Sequence, residues 1–237
     1  MDIKMNYVEK GEGKPLLLLH GNADSLEFFE GQIDYFAQKY HVIALDSRAH
    51  GKTPRGEAPL TIRQMAQDVR DFLAEQGIEK TDLIGWSDGG NIGLILAMES
   101  PEILDHLAIC GANLDLQGAE WPTVLHPANL DLQGAEQWAI DYVMGEYNEA
   151  KEKGENLTVE ILGLMVNDPN IDAEDLTKIG VKTLVMAGTE DLIKKDHTEL
   201  IASKIPGAEL AFIEGDHYVP KANAADFNKV VEAFLEK

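Results

Sequence analysis

Leu83-Ile84-Gly85-Trp86-Ser87-Asp88-Gly89-Gly90 is the stretch on which the reading of this chain turns. A short apolar run enters Gly-x-Ser-x-Gly, and a helical pattern follows from Asn91 to Glu99. Strand, tight turn and helix in that order give the serine a strained backbone and lift its hydroxyl above the sheet. Gly85 and Gly89 stand where the two backbones nearly touch and no side chain fits. The first amides of the helix then lie beside the Ser87 hydroxyl, where they can hold a developing oxyanion. A glycine-rich turn that merely contains a serine would read the same in isolation, so the surroundings have to decide.

Upstream, Pro15-Leu16-Leu17-Leu18-Leu19-His20 and His41-Val42-Ile43-Ala44-Leu45-Asp46 are continuous apolar runs of the kind buried parallel strands make. Leu26, Phe29, Ile33, Phe36 and Tyr40 between them recur at helical intervals. Asp2–Glu9 reads as an edge strand. Thr61 caps a helix with Gln64 as its capping-box partner, and Ile62, Met65, Val69 and Phe72 form its buried stripe. Downstream, His106–Gly111, Lys182–Gly188 and Ala208–Ile213 read as strands. A helix runs from His197 to Lys204, and a last one carries Phe227, Val230, Val231, Phe234 and Leu235 on one face. Strands alternating with helices predict an α/β fold, a mostly parallel central sheet with helices on both faces. Residues 113–178 break the alternation with Trp121, Pro122, Pro127, Trp138 and helical patterns. They read as a small helical cap inserted over the C-terminal edge of the sheet, where open α/β sheets place their sites. The core is then 1–112 and 179–237.

Ala112–Glu120 and Ala128–Glu136 are the same nine residues, Ala-Asn-Leu-Asp-Leu-Gln-Gly-Ala-Glu, sixteen positions apart. Chance does not produce such a match, and two copies do not make a solenoid. A recent tandem duplication or a constructed insertion explains it. One copy is expected to be structurally redundant.

Composition narrows the function. The 237 residues suit one α/β domain, and 44 % of them are apolar with no run long enough to cross a bilayer. Met1-Asp2-Ile3-Lys4 lacks the pattern of a signal peptide, and a single cysteine, Cys110, allows no internal disulfide, so a cytoplasmic protein is expected. A net charge of −22, from 42 acidic and 20 basic residues, argues against nucleic-acid binding. It serves solubility and can steer cationic substrates. No zinc pattern and no phosphate-cradling loop is present, so neither a metal nor a cofactor is expected. Cys110 ends an apolar strand and reads as a buried thiol.

Ser87 needs a base within reach, and the base needs an orienting acid, in the chain order Ser, acid, His. His217, in the loop Gly215-Asp216-His217-Tyr218 after the last strand, is free to turn towards Ser87. His20, His41, His50 and His106 sit among structural residues, His126 lies in the cap, and His197 opens a helix. The acid should follow the strand ending at Gly188. Asp191 is preferred and Glu190 competes with it. Asp216 adjoins the base and should point away from it. The oxyanion donors are the backbone N–H groups of Asp88 and Asn22, the latter in the loop His20-Gly21-Asn22. Asp46-Ser47-Arg48-Ala49-His50-Gly51 reads as a turn whose Arg and His brace neighbouring loops. Asp88 puts a carboxylate beside the nucleophile, where it repels an oxyanion. Either a substrate cation such as an α-ammonium pairs with it, or it points to solvent or to the amides of its own helix.

Together these residues resemble the α/β-hydrolase superfamily over all of the chain but the cap. Gly85-Trp86-Ser87-Asp88-Gly89-Gly90, Gly111-Ala112-Asn113 and Asp226-Phe227-Asn228-Lys229 resemble the biphenyl-hydrolase-like group that includes valacyclovir hydrolase. That resemblance implies hydrolysis of α-amino-acid esters, with ammonium recognition falling on Asp88 and the triad on Ser87, Asp191 and His217. The chain departs from the pattern at Ala49, where the family usually has glycine, in the duplicated cap, and at an N-terminal sheet edge that looks a strand short. The expectation is a serine hydrolase of small esters, a small molecule being its only implied partner, with the oligomeric state left open. Amide or C–C hydrolysis, perhydrolysis, and a non-catalytic binder or engineered scaffold of the same fold are the alternatives.

Overall fold

The structure, a computed structural model, describes residues 1–114 and 137–237. His126 and most of the duplicated segment lie outside the described residues. Seven strands form one sheet: β1 (Tyr7–Lys10), β2 (Lys14–Leu19), β3 (Tyr40–Leu45), β4 (Thr81–Trp86), β5 (Leu104–Cys110), β6 (Lys182–Gly188) and β7 (Glu209–Ile213), in the order β1-β3-β2-β4-β5-β6-β7. Only β1 runs antiparallel, Tyr7 facing Leu45. The seven strands read from the sequence are these seven strands, shifted by a few residues at their ends. The largest correction is at β1. Ile3 and Met5 are buried and imitate strand alternation, but Asp2 is drawn to Arg48 and the ladder starts only at Tyr7.

Alternate residues of each strand feed two cores. Leu17, Leu19, Ile43, Leu45, Leu83, Leu107, Ile109 and Val185 pack against α2 (Ile62–Glu75), α3 (Asp88–Glu99) and α6 (Lys195–Lys204). Leu16, Leu18, Val42, Ala44, Ile84, Trp86, Ala108 and Met186 face the other way, against α1 (Glu30–Phe36) and α8 (Ala224–Leu235). The helix expected from Leu26 to Tyr40 starts as a 3-10 turn, Leu26–Phe29, and its α-helical part ends at Phe36. The Thr61 hydroxyl accepts the Gln64 N–H at 3.1 Å, but the Gln64 side chain donates forward to Asp68 and leaves the capping box half made.

Between β5 and β6 the described residues form α4 (Gln137–Lys153), α5 (Asn156–Asn167) and a 3-10 turn, Ala173–Lys178. The short α7 (Val219–Ala222) precedes α8. Strand order reverses at the β2–β4 neighbours, since β3 lies outside β2 and β5 outside β4. Such a switch point opens a crevice beyond the C-terminal ends of the strands. The loops carrying Asn22 and Ser87 border it. Among the described residues no helix is long and apolar enough to cross a membrane.

Candidate active site

Ser87 joins β4 to α3 with φ 54° and ψ −121°, a backbone that side-chain-bearing residues rarely adopt. Its N–H donates to the Cys110 carbonyl at 2.8 Å, and its own carbonyl accepts from Gly90 and Asn91 at 2.8 and 3.1 Å. The strain is thus held from both neighbouring elements. A Cβ on Gly85 would collide with the Gly89 carbonyl, and one on Gly89 with the Leu19 carbonyl. Both glycines are steric requirements of the turn. The loop after β2 presses on it as well: a Cβ on Gly21 would sit 2.8 Å from that of Ser87. Asp88 opens α3, and first-turn amides have no acceptor inside their own helix.

The loops after β6 and β7 bring Asp191 and His217 together. His217 Nδ1 donates to Asp191 Oδ1 at 2.7 Å, with the side chains 9 % and 1 % exposed. The backbone orients the carboxylate: Ile193 N–H donates to Oδ1 at 2.9 Å and Gly188 N–H to Oδ2 at 3.2 Å. A Cβ on Gly111 would lie 2.7 Å from His217 Cε1, so the imidazole rests against the end of β5, the strand next to β4. Glu190 is exposed. Asp216 is exposed too and accepts the Tyr218 N–H at 2.9 Å.

The other described histidines are engaged elsewhere. His20 donates to the Gly21 carbonyl and accepts the Ser47 N–H at 3.0 Å, and burial pulls it down to about 4, in keeping with a neutral ring. His41 pairs with Glu9. His106 pairs with Asp82 near the opposite ends of β4 and β5. His197 lies in the first turn of α6, which starts at Lys195, and accepts the Leu114 N–H at 2.9 Å. Arg48, fully buried, forms two bonds to Asp68 and two to Asp2, and so braces the loops around it. His50 donates to the Arg48 carbonyl. Ala49 takes φ 66°, the left-handed region where glycine would be unstrained. Burial pushes the Cys110 thiol well above its ordinary range.

Asp88 does not point to solvent, and one of the groups that hold it comes from its own helix, α3. It is 6 % exposed, and two side-chain amides hold it. Asn22 Nδ2 donates to Oδ2 at 3.0 Å and Asn91 Nδ2 to Oδ1 at 3.3 Å. Among the described residues it has no ion-pair partner. Burial pushes its carboxyl up, while the Asn22 hydrogen bond and the nearby His50 oppose that shift. Asn22, expected here for its backbone N–H, also contributes its side chain, whose amide donates to the Ile161 carbonyl of α5 at 2.8 Å. Its Oδ1 is buried without a partner. Asp168, which no sequence signal marked, is pushed up to about 6 by burial and by the charge of Asp88.

A family model described as alpha/beta hydrolase fold matches residues 14–141. The chain is 28 % identical to a protein named "Putative carbamate hydrolase RutD" of Rhizobium rhizogenes, over 99 % of this chain and 97 % of that one. It is 27 % identical to the human serine hydrolase BPHL, over 99 % and 84 %. The crystal structure of an enol-lactonase from Burkholderia xenovorans matches with a TM-score of 0.78 at 21 % identity, covering 99 % of this chain and 97 % of the other. That likeness is one of fold.

Proposed function

The chain belongs to the alpha/beta hydrolase fold family, and from that premise we propose that it is a serine hydrolase of small carboxylic esters, acting through Ser87, His217 and Asp191. The observation that carries the reading is the buried 2.7 Å bond from His217 to Asp191 in the loops facing the strained Ser87 turn. That bond keeps the proton on Nδ1 and leaves Nε2 as the base. His217 takes the Ser87 proton as the hydroxyl attacks the ester carbonyl. The Asn22 and Asp88 N–H groups hold the oxyanion. The imidazolium, stabilised by Asp191, protonates the leaving alcohol, and the acyl-enzyme is released when His217 activates water. The name of the human relative, a serine hydrolase, supports the same assignment. The described part of the inserted stretch serves as a cap on this site, α5 reaching it through the Ile161 carbonyl that accepts from Asn22.

Asp88 selects substrates with an amine near the ester. A buried carboxylate without a countercharge is costly, and a bound cation removes that cost. The partnerless Asn22 Oδ1 beside it also asks for a donor, which an ammonium supplies. Carbamates present the same carbonyl to Ser87, and the name of the rhizobial relative favours them as a second substrate class.

The test is kcat/KM for an α-amino-acid ester, its N-acetylated twin and a matching carbamate, on the wild type, Ser87→Ala and Asp88→Asn. Ser87→Ala should abolish all turnover. Loss of a partner to a buried charge costs about 2–5 kcal/mol, so Asp88→Asn should lose roughly 30-fold or more on the free amine and little on its twin. Equal losses on both would remove the cation role, and full turnover by Ser87→Ala would remove the serine mechanism.

A further inference from the structure

We infer that Trp86 is the positioning residue that holds His217 over the Ser87 turn, an inference that rests on the triad reading above. Trp86 ends β4 and is peptide-bonded to Ser87. Its ring is 3 % exposed, yet Nε1 finds a partner: it donates to the His217 carbonyl at 2.7 Å. The indole lies 5.3 Å from the imidazole, centroid to centroid, and 5.3 Å from the Tyr218 ring. Its own face stacks on Phe28 at 3.8 Å with a 5° tilt. Gly21 is close as well, since a Cβ there would meet Trp86 Cε3 and Cζ3 at 2.9 Å. One rigid side chain therefore touches the base loop and the loop after β2, and continues into the nucleophile.

The other anchors of the base loop lead away from Ser87. The Gly215 carbonyl accepts the Glu190 N–H at 2.9 Å, Gly215 N–H donates to Thr189 Oγ1 at 3.3 Å, and Asp191 holds the imidazole. All three tie the loop to the end of β6. The Val219 and Tyr218 N–H groups bond back to Asp216 within the loop itself. Base and nucleophile thus hang on β6 and β4, with β5 between them. Two strand spacings make a gap of about 10 Å. Among the described residues the indole N–H is the hydrogen bond that crosses it to the His217 backbone. Proton transfer tolerates little error, since a displacement of about 1 Å can cost on the order of 100-fold in rate.

The experiment removes the N–H and keeps an aromatic ring at position 86, with the full bicyclic shape in one of the two variants. Trp86→Phe and a site-specific benzothienylalanine at position 86, the sulfur isostere of tryptophan, are compared with wild type and with Phe28→Leu. Phe28→Leu loosens the stack but leaves the N–H in place. Three assays are run: steady-state kinetics on a small ester for kcat and KM, the rate of fluorophosphonate labelling of Ser87, and the downfield proton resonance of His217 Nδ1–H. Both position-86 variants should lose roughly 10- to 100-fold in kcat and labelling rate, with KM within about threefold and the downfield resonance shifted or broadened. Phe28→Leu should stay near wild type in all three. Wild-type labelling rate and resonance in the benzothienylalanine protein would overturn the inference, as would equal losses in Phe28→Leu. Failure of the wild type itself to label would instead overturn the triad reading.

Discussion

Replacing Asp191 by asparagine exchanges one carboxylate oxygen for an NH2 group and changes little in shape, yet the structure leaves the amide no good orientation. Both carboxylate oxygens accept backbone N–H groups, Ile193 on Oδ1 and Gly188 on Oδ2, and Oδ1 also accepts from His217. With its oxygen towards His217, the new NH2 faces the Gly188 N–H and leaves a donor unpaired, at about 1–3 kcal/mol. The imidazolium then leans on a neutral acceptor, and hydrogen bonds to charged partners are roughly twice as strong. Turned the other way, the NH2 faces Nδ1 and forces the proton onto Nε2, which can no longer act as base. Either orientation should lower kcat, by about 10³- to 10⁴-fold where the wrong tautomer dominates. The lost backbone bond should lower Tm by ~2–4 °C per kcal/mol, or roughly 2–12 °C. The assay is kcat on a chromogenic ester together with a thermal melt, with Glu190→Gln in parallel. Glu190 is exposed and should cost less than about threefold. Activity of Asp191→Asn within tenfold of wild type, or an equal loss in Glu190→Gln, would refute the assignment of the acid.

Three further outcomes rest on Asp168, Ala49 and the duplicated segment. Asp168 is held up to about 6, above its ordinary 3.8, so the folded state prefers it protonated and its cost develops as pH rises from about 4 through 6. Discounted for partial exposure, Asp168→Asn should stabilise the protein by about 1 kcal/mol above pH 7 and by little below pH 4, read by denaturant melts across that range. Ala49 carries a left-handed φ of 66°, and relief of about 1–2 kcal/mol of strain, less the added chain entropy of glycine, should make Ala49→Gly more stable by ~0.5–1 kcal/mol in the same assay. Deletion of residues 113–128 should leave a folded protein in a circular-dichroism melt, because Asn129 and Leu130 then follow Ala112 and can remake the bonds of Asn113 to Asn91 and of Leu114 to His197. Insoluble protein would show that both copies are needed.

The parallel strands were legible because a strand buried on both faces must be apolar throughout, as Leu16–Leu19 and Leu83–Ile84 are. Ser87 was legible because its turn requires glycine at two fixed offsets, and the crowding around Gly85 and Gly89 repeats that requirement in three dimensions. Asp191 over Glu190 was a choice between neighbours, and the structure pairs Asp191 with His217. What the sequence could not carry are contacts set by distant partners. The Asn22 side chain is oriented by Asp88 and by Ile161, 139 residues away. Gln64 turns to Asp68 because Arg48 already holds that carboxylate in the interior. The Asp168 shift needs burial that no local pattern announces. The indole bond from Trp86 to His217 spans 131 residues, and nothing near position 86 hints at it.

The central claim is that Ser87 is a nucleophile activated by His217. Intact-mass and peptide analysis after treatment with a fluorophosphonate tests it without knowledge of the natural substrate. One adduct should form, on Ser87, absent in Ser87→Ala and formed at least 100-fold more slowly in His217→Ala. An unlabelled wild type, or an adduct that survives Ser87→Ala, would contradict it.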